Sequence, residues 1–177
     1  MRQIFLYIET TGLRSEDGHR IIEIGCVELL NRMPTGSNKH YYINPGRDSD
    51  EDAIRVHGLS NEFLCEKPKF DEIADDFLSY CAGAEIFIHN APFELSFIKK
   101  ELKRLGKPAF KKGVASITDT LVIAKAIFPG QRNSLTALCL RLEIDNSSES
   151  LHGALRQADL NARIYIQLKQ QKVGINL

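Results

Sequence analysis

Two carboxylates and a histidine stand where a polar side chain could carry chemistry. Glu9 ends an apolar strand beside the turn Thr10-Thr11-Gly12, and strand ends are where α/β proteins place reactive groups. Glu94 falls inside the apolar stripe of a predicted helix, so its carboxyl group must be paired, hydrogen-bonded or functional. His152 lies just before the last predicted helix. These three positions define a candidate site.

Each of these signals also has an ordinary structural explanation. A carboxylate at a strand end is more often structural than a ligand, and His152-Gly153 could be a loop leading into a helix. His89-Asn90 could be a hydrogen-bonded strand terminus. The basic residues from Lys99 to Lys112 could form a solvated face, although they could also bind phosphates. Taken separately, the signals do not establish a function.

Composition indicates one globular domain and excludes few functions. The chain has 177 residues, of which 43% are hydrophobic and 26% charged. Its 23 basic and 23 acidic residues balance, so nucleic-acid contacts would need a local patch. The four cysteines lack zinc-site spacing and are expected to be buried thiols. No apolar run of about 18 residues occurs, so we expect no membrane span and a cytoplasmic location.

Hydrophobic periodicity predicts an α/β fold with element order βββαβαβααα. The predicted strands are Ile4–Glu9, Ile21–Leu30, His40–Ile43, Ala84–His89 and Ser116–Asp119. The predicted helices are Phe70–Leu78, a helix that starts directly after His89-Asn90 and carries the apolar stripe from Leu95 to Leu105, then Leu121–Phe128, Leu135–Leu142 and Gly153–Lys169. The first three strands, joined by short loops, predict an antiparallel meander within a mixed five-stranded sheet flanked by helices. The turn at Pro34–Gly36 and the acidic segment Asp48–Asp52 are predicted to be surface loops.

Taken together and in order, six short motifs closely resemble one family. They are Glu9-Thr10-Thr11-Gly12, Ile22-Glu23-Ile24-Gly25, Val56-His57-Gly58-Leu59, His89-Asn90-Ala91-Pro92-Phe93, Asn133-Ser134-Leu135 and Leu151-His152-Gly153-Ala154-Leu155. The family is that of the DEDDh-type 3′→5′ exonucleases with a ribonuclease H-like fold, and specifically the proofreading epsilon subunits of bacterial replicative DNA polymerase III. The resemblance extends from Arg2 to about Leu168. It implies an exonuclease-like domain over residues 1–170, followed by a tail at 171–177.

The resemblance implies a metal-dependent site. In the family, four carboxylates hold two Mg²⁺ or Mn²⁺ ions at the terminal phosphodiester, and a histidine takes the proton from the attacking water. Carried over to this chain, the catalytic residues would be Glu9 and His152, and the remaining metal ligands Glu9 and Glu94. Thr10 and Thr11 would lie along the terminal nucleotide, and Val56 and His57 near its base.

This chain departs from the family pattern at the ligands themselves. The first motif reads Asp-x-Glu in the family, but its aspartate position holds Tyr7. The second-motif aspartate is Glu94, which keeps the charge on a longer side chain, and the third-motif aspartate is Gln157, a neutral amide. Two of four ligand charges are therefore missing, and Tyr7 occupies the position that bridges both ions in the family.

Asp159 does not replace the missing third-motif acid in this alignment. Ala154, Leu155 and Ala158 fix the alignment without gaps, and a shift of two positions rotates a helical side chain by about 200°. We therefore expect weak or absent metal binding and failed hydrolysis.

The sequence thus predicts an epsilon-like domain that is inactive or severely impaired. Its expected partners are a single-stranded DNA 3′ end and, by resemblance, a replicative polymerase assembly. The alternative is an active metal-dependent 3′→5′ proofreading exonuclease with an altered ligand set. A purely structural subunit that binds no nucleic acid, and RNA in place of DNA, are further possibilities.

Overall fold

A mixed six-stranded sheet forms the centre of the computed structural model, which describes residues 1–147 and 151–174. In the middle, β1 pairs antiparallel with β2 on one side and parallel with β5 on the other. β6 extends the sheet in parallel beyond β5, and β3 and β4 both pair with β2. The strands are β1 (Arg2–Thr10), β2 (Ile21–Leu30), β3 (Met33–Pro34), β4 (Lys39–Tyr42), β5 (Glu85–Ile88) and β6 (Ser116–Asp119). The predicted mixed α/β sheet is confirmed.

The strand count differs from the prediction because β3 lies in the segment predicted as a turn. Leu29 and Leu30 pair with Pro34 and Met33. The two residues between them, Asn31 and Arg32, have positive φ angles of 52° and 68°. Positive φ at both central residues is the backbone of a tight two-residue hairpin, which the Asn-Arg pair signals only weakly.

Helices cover both faces of the sheet in the described part of the chain. They are α1 (Glu51–His57), α2 (Asn61–Cys65), α3 (Phe70–Cys81), α4 (Ala91–Arg104), α5 (Thr120–Ile127), α6 (Leu135–Arg141) and α7 (Gly153–Gly174). The short helices α1 and α2 were not predicted. Asp50 is the N-cap residue of α1, and Glu51 and Asp52 occupy its first turn, where acidic side chains favour the helix dipole. The acidic segment therefore starts a helix instead of forming a loop throughout.

The last helix is longer than predicted. α7 continues to Gly174, into the segment predicted as a tail, and residues 175–177 lie outside the described part. The division into a domain and a tail remains a prediction.

Alternation along β1 divides its side chains between two layers. Ile4, Leu6 and Ile8 are buried in a cluster with side chains of α3 and α4. Phe5 is buried on the opposite face with Ala158 of α7 and its neighbours. The register between β1 and β2 shifts between Glu9 and Thr10, and bulges of this kind often lie beside functional sites.

The cysteines are not all buried as predicted. Cys26, Cys81 and Cys139 are buried free thiols, but Cys65 is exposed, so the prediction is wrong there. Cys65 lies in the last turn of the unpredicted α2.

None of the helices in the described residues has the length and apolar character needed to cross a membrane.

Candidate active site

A cleft opens at the carboxyl-terminal end of β1. It contains two cavities of 520 and 460 Å³, and Tyr7, Glu9 and Val56 line both. The larger, polar cavity is also lined by His89, Asn90, Lys125, Asn133, Ser134 and Gln157, among others. The smaller, apolar cavity is also lined by Thr10, Leu13, Asp50, Ala53, His57 and Phe93, among others. The cleft therefore joins the first motif to segments distant in sequence.

Tyr7 fills the site from the sheet side. Its ring lies on the same face of β1 as Phe5, in contact with apolar clusters from α5, α6 and α7. Burial, followed by the negative charges of Glu9, Glu94 and Glu23, raises the pKa of its hydroxyl well above the ordinary value near 10. The side chain is therefore a neutral phenol at physiological pH.

Glu9 and Glu94 are neighbouring acids in a poorly solvated environment. Burial and the charge of Glu23 raise the pKa of Glu9 to about 7. Glu94 is only 2% exposed, and burial and then the charges of Glu9 and Asp119 raise its pKa well above the usual range. Its Oε2 atom has no hydrogen-bond partner among the described residues. The helical wheel thus placed Glu94 correctly on the inward face, and Glu94 forms no ion pair there with the residues that the structure describes.

Asp119 holds the start of α4, and with it Glu94, beside β1. Its carboxylate accepts hydrogen bonds from the amides of Asn90 at 3.1 Å and Ala91 at 3.0 Å. It also accepts one from the Leu121 amide at 2.8 Å, as the N-cap of α5. Sequence reasoning missed this role, although an acid between a strand and a helix is a typical N-cap signal.

Helix α7 contributes a neutral amide to the cleft. Gln157 lines the polar cavity. Asp159 lies 3.8 Å from the guanidinium of Arg163 on the same helix. That Asp159 does not replace the missing acid remains a prediction. His152 is exposed at the start of α7, and its main-chain carbonyl accepts a hydrogen bond from the Arg156 amide at 3.2 Å.

The two threonines after Glu9 have different surroundings. Thr10 lines the apolar cavity, and its hydroxyl donates to the Gly12 carbonyl at 2.8 Å. Thr11 is fully buried, with its hydroxyl 3.0 Å from His19 Nδ1 and accepting from the Arg20 amide at 3.0 Å. The Thr11 side chain therefore stabilises the turn through His19 and Arg20 and does not line the cleft.

Val56 and His57 approach the cleft from α1. Val56 is 81% exposed at the rim shared by both cavities. His57 lines the apolar cavity, and its Nδ1 accepts a hydrogen bond from the Leu59 amide at 3.0 Å. Burial lowers the pKa of His57, which favours the neutral imidazole. The structure thus brings both residues to the same cleft as Tyr7 and Glu9.

The second strand-end motif is anchored in the fold. His89 Nε2 lies 2.8 Å from the Asn133 carbonyl, and its Nδ1 lies 3.0 Å from the Thr120 hydroxyl. His89 is thus a hydrogen-bonded strand terminus, and it also lines the polar cavity. In the basic segment, Arg104 pairs with Glu101 and Lys107 with Asp75, while Lys99 and Lys103 are exposed.

The cleft offers few anionic oxygen atoms to a pair of divalent ions. Within the described residues, no three or more His, Cys, Asp or Glu side chains are grouped so that they could hold a metal ion. Mg²⁺ and Mn²⁺ favour anionic oxygen ligands, whereas Tyr7 is a neutral phenol and Gln157 an uncharged amide. Of the four family ligand positions, only those of Glu9 and Glu94 hold acids, and the pKa of each is raised above that of an exposed glutamate.

Sequence comparison places this arrangement among known proteins. A family model described as "Exonuclease" matches residues 4–165. The chain is 50% identical over 171 residues to the DNA polymerase III subunit epsilon of Haemophilus influenzae, covering 94% of this chain and 67% of that protein. It is 49% identical over 169 residues to the subunit epsilon of Rickettsia conorii, covering 95% of this chain and 74% of that protein. For the subunit of Escherichia coli the identity is 48% over 172 residues, with 94% and 71% covered.

Solved structures share the fold at low sequence identity. The nuclease domain of 3′hExo, described as a DEDDh family member bound to rAMP, superposes with a TM-score of 0.75 at 16% identity, covering 96% of this chain and 92% of that one. Exonuclease X, in complex with 5′ overhanging duplex DNA, gives 0.74 at 18% identity, with 96% and 92% covered. Pop2p of S. pombe, in a Mg²⁺- and Mn²⁺-bound form, gives 0.78 at 14% identity, with 96% and 83% covered.

Proposed function

Because the chain belongs to the exonuclease family, and within it to the DNA polymerase III epsilon subunits, we propose that it is an epsilon-like domain that receives a nucleic-acid 3′ end but hydrolyses it poorly or not at all. The family's metal ligands would be reduced to Glu9 and Glu94, with His152 as the remaining candidate base. Single-stranded DNA is the proposed ligand, and a polymerase assembly the proposed protein partner.

The observation that carries this proposal is the presence of Tyr7 and Gln157 in the cleft beside Glu9. Both line the polar cavity, so the neutral groups lie in the site itself and not elsewhere on the surface. Losing two of four anionic ligands removes most of the attraction for a second divalent ion, since each charge within about 4 Å of such an ion contributes several kcal/mol before desolvation. Slow or absent hydrolysis follows from that loss.

The apolar cavity supports retained binding of a terminal nucleotide. Leu13 and Val56 are 82% and 81% exposed at its rim, although apolar side chains of this size are usually buried. Phe93 lines the same cavity. An apolar, partly aromatic pocket suits a nucleobase, because every base offers a flat surface for stacking. Thr10 and His57 would contribute polar contacts there.

A nuclease assay tests the activity state. The purified chain is incubated with a 3′-labelled single strand of DNA, and in parallel of RNA, in Mg²⁺ and in Mn²⁺. We expect no release of single nucleotides above the level without protein. Release that disappears with EDTA and with Glu9→Ala would establish the alternative, an active exonuclease with an altered ligand set. That alternative is favoured by the two acids that remain at ligand positions, Glu9 in the cleft wall and the buried Glu94 near it, and by the exposed His152.

Restoring the family's ligands tests the stated cause of the defect. The triple variant Tyr7→Asp, Glu94→Asp, Gln157→Asp should bind Mn²⁺ more tightly than the parent and should release nucleotides from the 3′ end. A folded triple variant that binds Mn²⁺ no better and does not cut would show that the missing carboxylates are not the cause. The single variant Gln157→Asp is the matched control, because it leaves Tyr7 at the bridging position.

Binding separates the proposal from a purely structural role. Fluorescence anisotropy with a 3′-labelled oligonucleotide should show salt-dependent binding in the absence of divalent ions. A duplex with a blocked, recessed 3′ end should bind more weakly than a free single strand. Equal or undetectable binding of both would favour a structural subunit.

A further inference from the structure

The Ile22-Glu23-Ile24-Gly25 motif plays no part in the proposed chemistry, yet it contains a buried acid. Glu23 lies on β2 directly opposite Glu9 of β1 and has no exposed surface. Like charges at directly opposed positions destabilise a sheet, and a buried carboxylate is costly unless it is paired. Glu23 is therefore expected to make compensating contacts.

The carboxylate of Glu23 joins the sheet to the last helix. Its Oε1 atom lies 2.6 Å from Nε2 of His40 on β4, which pairs with β2. The same oxygen accepts a hydrogen bond from the amide of Ala154, the second residue of α7, at 2.9 Å. One buried side chain thus connects the Ile22–Gly25 motif of β2 to the Leu151–Leu155 motif at the start of α7.

Two glycines make this close approach possible. Gly153 has a φ of +53°, and a Cβ atom there would lie 2.1 Å from Glu23 Oε1. A Cβ atom at Gly25 would lie 2.3 Å from the main-chain carbon of Ala154. Such separations are far below van der Waals contact. The glycine in each motif is therefore explained by the contact between the two motifs.

Glu23 takes the place of a local cap for α7. The carbonyl of His152 accepts the first helical hydrogen bond, from Arg156, so His152 occupies the N-cap position. At many helix starts the side chain of that residue accepts a hydrogen bond from the second or third amide. Here the acceptor for the second amide comes from β2, where its negative charge also favours the helix dipole. The imidazole of His152 is released from capping and stays exposed.

We propose that Glu23 is a positioning residue for His152: its carboxylate caps α7 from the sheet and fixes the backbone of residues 152–154, so that the imidazole is held in one orientation at the start of the helix. This inference rests on the proposed function, which assigns His152 to the site. Glu23 acts through the main chain and touches neither a ligand nor the reacting groups.

A coupled pair of substitutions tests the contact. Glu23→Ala removes the cap and should shift the NMR signal of the His152 ring. It should also speed hydrogen exchange of the Ala154 amide by about tenfold, the equivalent of one charge-assisted hydrogen bond. Gly153→Ala should perturb the same signals because its methyl group meets the carboxylate. In the double variant that clash is absent, so the combined effect should be smaller than the sum of the two.

The matched control is Glu28→Ala on the same strand. Glu28 bonds Arg2 and Thr35 at the far end of β2, so this change should leave the His152 and Ala154 signals at parent values. If Glu23→Ala does not fold, Glu23→Gln keeps the shape without the charge and should still speed Ala154 exchange several-fold. Unchanged exchange in the Glu23 variants, or strictly additive effects in the double variant, would overturn the proposal.

Binding of the labelled 3′ end provides the functional measurement. Affinity should fall about tenfold in Glu23→Ala and stay at the parent level in Glu28→Ala. If the parent binds no 3′ end while the NMR signals change as expected, the positioning of His152 is supported and the proposed ligand is wrong. If the parent binds but Glu23→Ala retains full affinity, the positioning role is overturned and the proposed function is left standing.

Discussion

At Glu9 and Glu94, two carboxyl groups lie close to the phenol of Tyr7, where the family pattern has a further acid. Burial is the largest cause of the raised pKa of both groups, so each keeps its proton to a higher pH than an exposed glutamate does. The cleft without metal is therefore less negative near neutral pH than its sequence suggests. This favours approach of a phosphate backbone, which a fully ionised cluster of acids would repel.

The raised pKa of Glu9 has a consequence for stability. The folded chain holds the Glu9 proton up to a pKa of about 7, whereas its ordinary pKa is 4.5. The folded state therefore binds more protons between these values, and the contribution of Glu9 to stability is lost as pH rises from about 4.5 to 7. We expect Glu9→Gln to be more stable than the parent at pH 8 by about 1–2 kcal/mol, after allowance for partial exposure, with the difference vanishing near pH 4.5. Urea denaturation at both pH values measures this.

Glu28 supplies a control of opposite sign. Although burial acts to raise its pKa, hydrogen bonds from Thr35 and Arg2 outweigh that effect and lower it. Its contribution to stability is therefore present above its ordinary pKa and lost as pH falls. Glu28→Gln should destabilise the chain at pH 8. A Glu9→Gln variant that behaved in the same way would contradict the assigned environment of Glu9.

At the scale of elements, helix α4 is held at both ends by acids. Asp119 of β6 accepts hydrogen bonds from the amides at its start. Near its other end, Glu101 is only 2% exposed and accepts two hydrogen bonds from Arg20, at 2.6 and 2.7 Å. Arg20 also donates to the Pro45 carbonyl at 3.1 Å. The helix that presents Glu94 is thereby fixed to the sheet and to the loop before α1.

Breaking the Arg20–Glu101 pair should be costly because it leaves a buried charge alone. We expect Arg20→Ala, which leaves the buried carboxylate of Glu101 without its main partner, to lower the free energy of unfolding by about 3 kcal/mol, measured by urea denaturation at pH 7.

Asp75→Ala is the matched control for this prediction. It removes the partner of Lys107 on a side chain that is 84% exposed, and exposed pairs contribute less than about 1 kcal/mol. Similar losses in the two variants would show that the Arg20–Glu101 pair does not anchor α4.

At the scale of the whole molecule, a balanced charge leaves binding of nucleic acid to local patches. Lys99, Lys103 and Lys111 are exposed on and after α4. If they bind phosphates, changing all three to glutamine should weaken single-strand binding. The slope of log affinity against log salt should then fall by about 0.7 for each phosphate that the lysines no longer neutralise. Lys39→Gln, at a lysine paired with Asp76, should leave the slope unchanged. Equal slopes in the triple variant and the parent would show that this face is only solvated.

Local pattern predicted the parts of the fold that depend on neighbours in sequence. Alternation placed Tyr7 and Glu9 on one face of β1, and helical spacing placed Glu94 inward. The two-residue strand β3 was missed because its hairpin turn lacks glycine, and α1 and α2 because they are too short for periodicity.

The roles that depend on distant contacts could not be predicted. Glu23 is one of two acids in an otherwise apolar strand, and its capping of α7 spans 131 positions. Thr11 was expected along the nucleotide, but its hydroxyl is buried against His19, a residue eight positions later in the sequence. Position in a motif identified these residues, whereas their orientation is a property of the assembled fold.

Because α7 is capped from β2, the two ends of the chain can complete each other's contacts only late in synthesis. β1 and β2 can pair early, but the face of β1 that carries Phe5 is covered by Ala158, Ala162 and Tyr165 near the other end of the chain. Until those residues leave the ribosome, the young hairpin exposes an apolar surface, and α7 lacks the acceptor for its second amide until it docks there. We therefore expect a nascent chain stopped before residue 150 to be bound by chaperones and cut by proteases, and one released at full length to resist both.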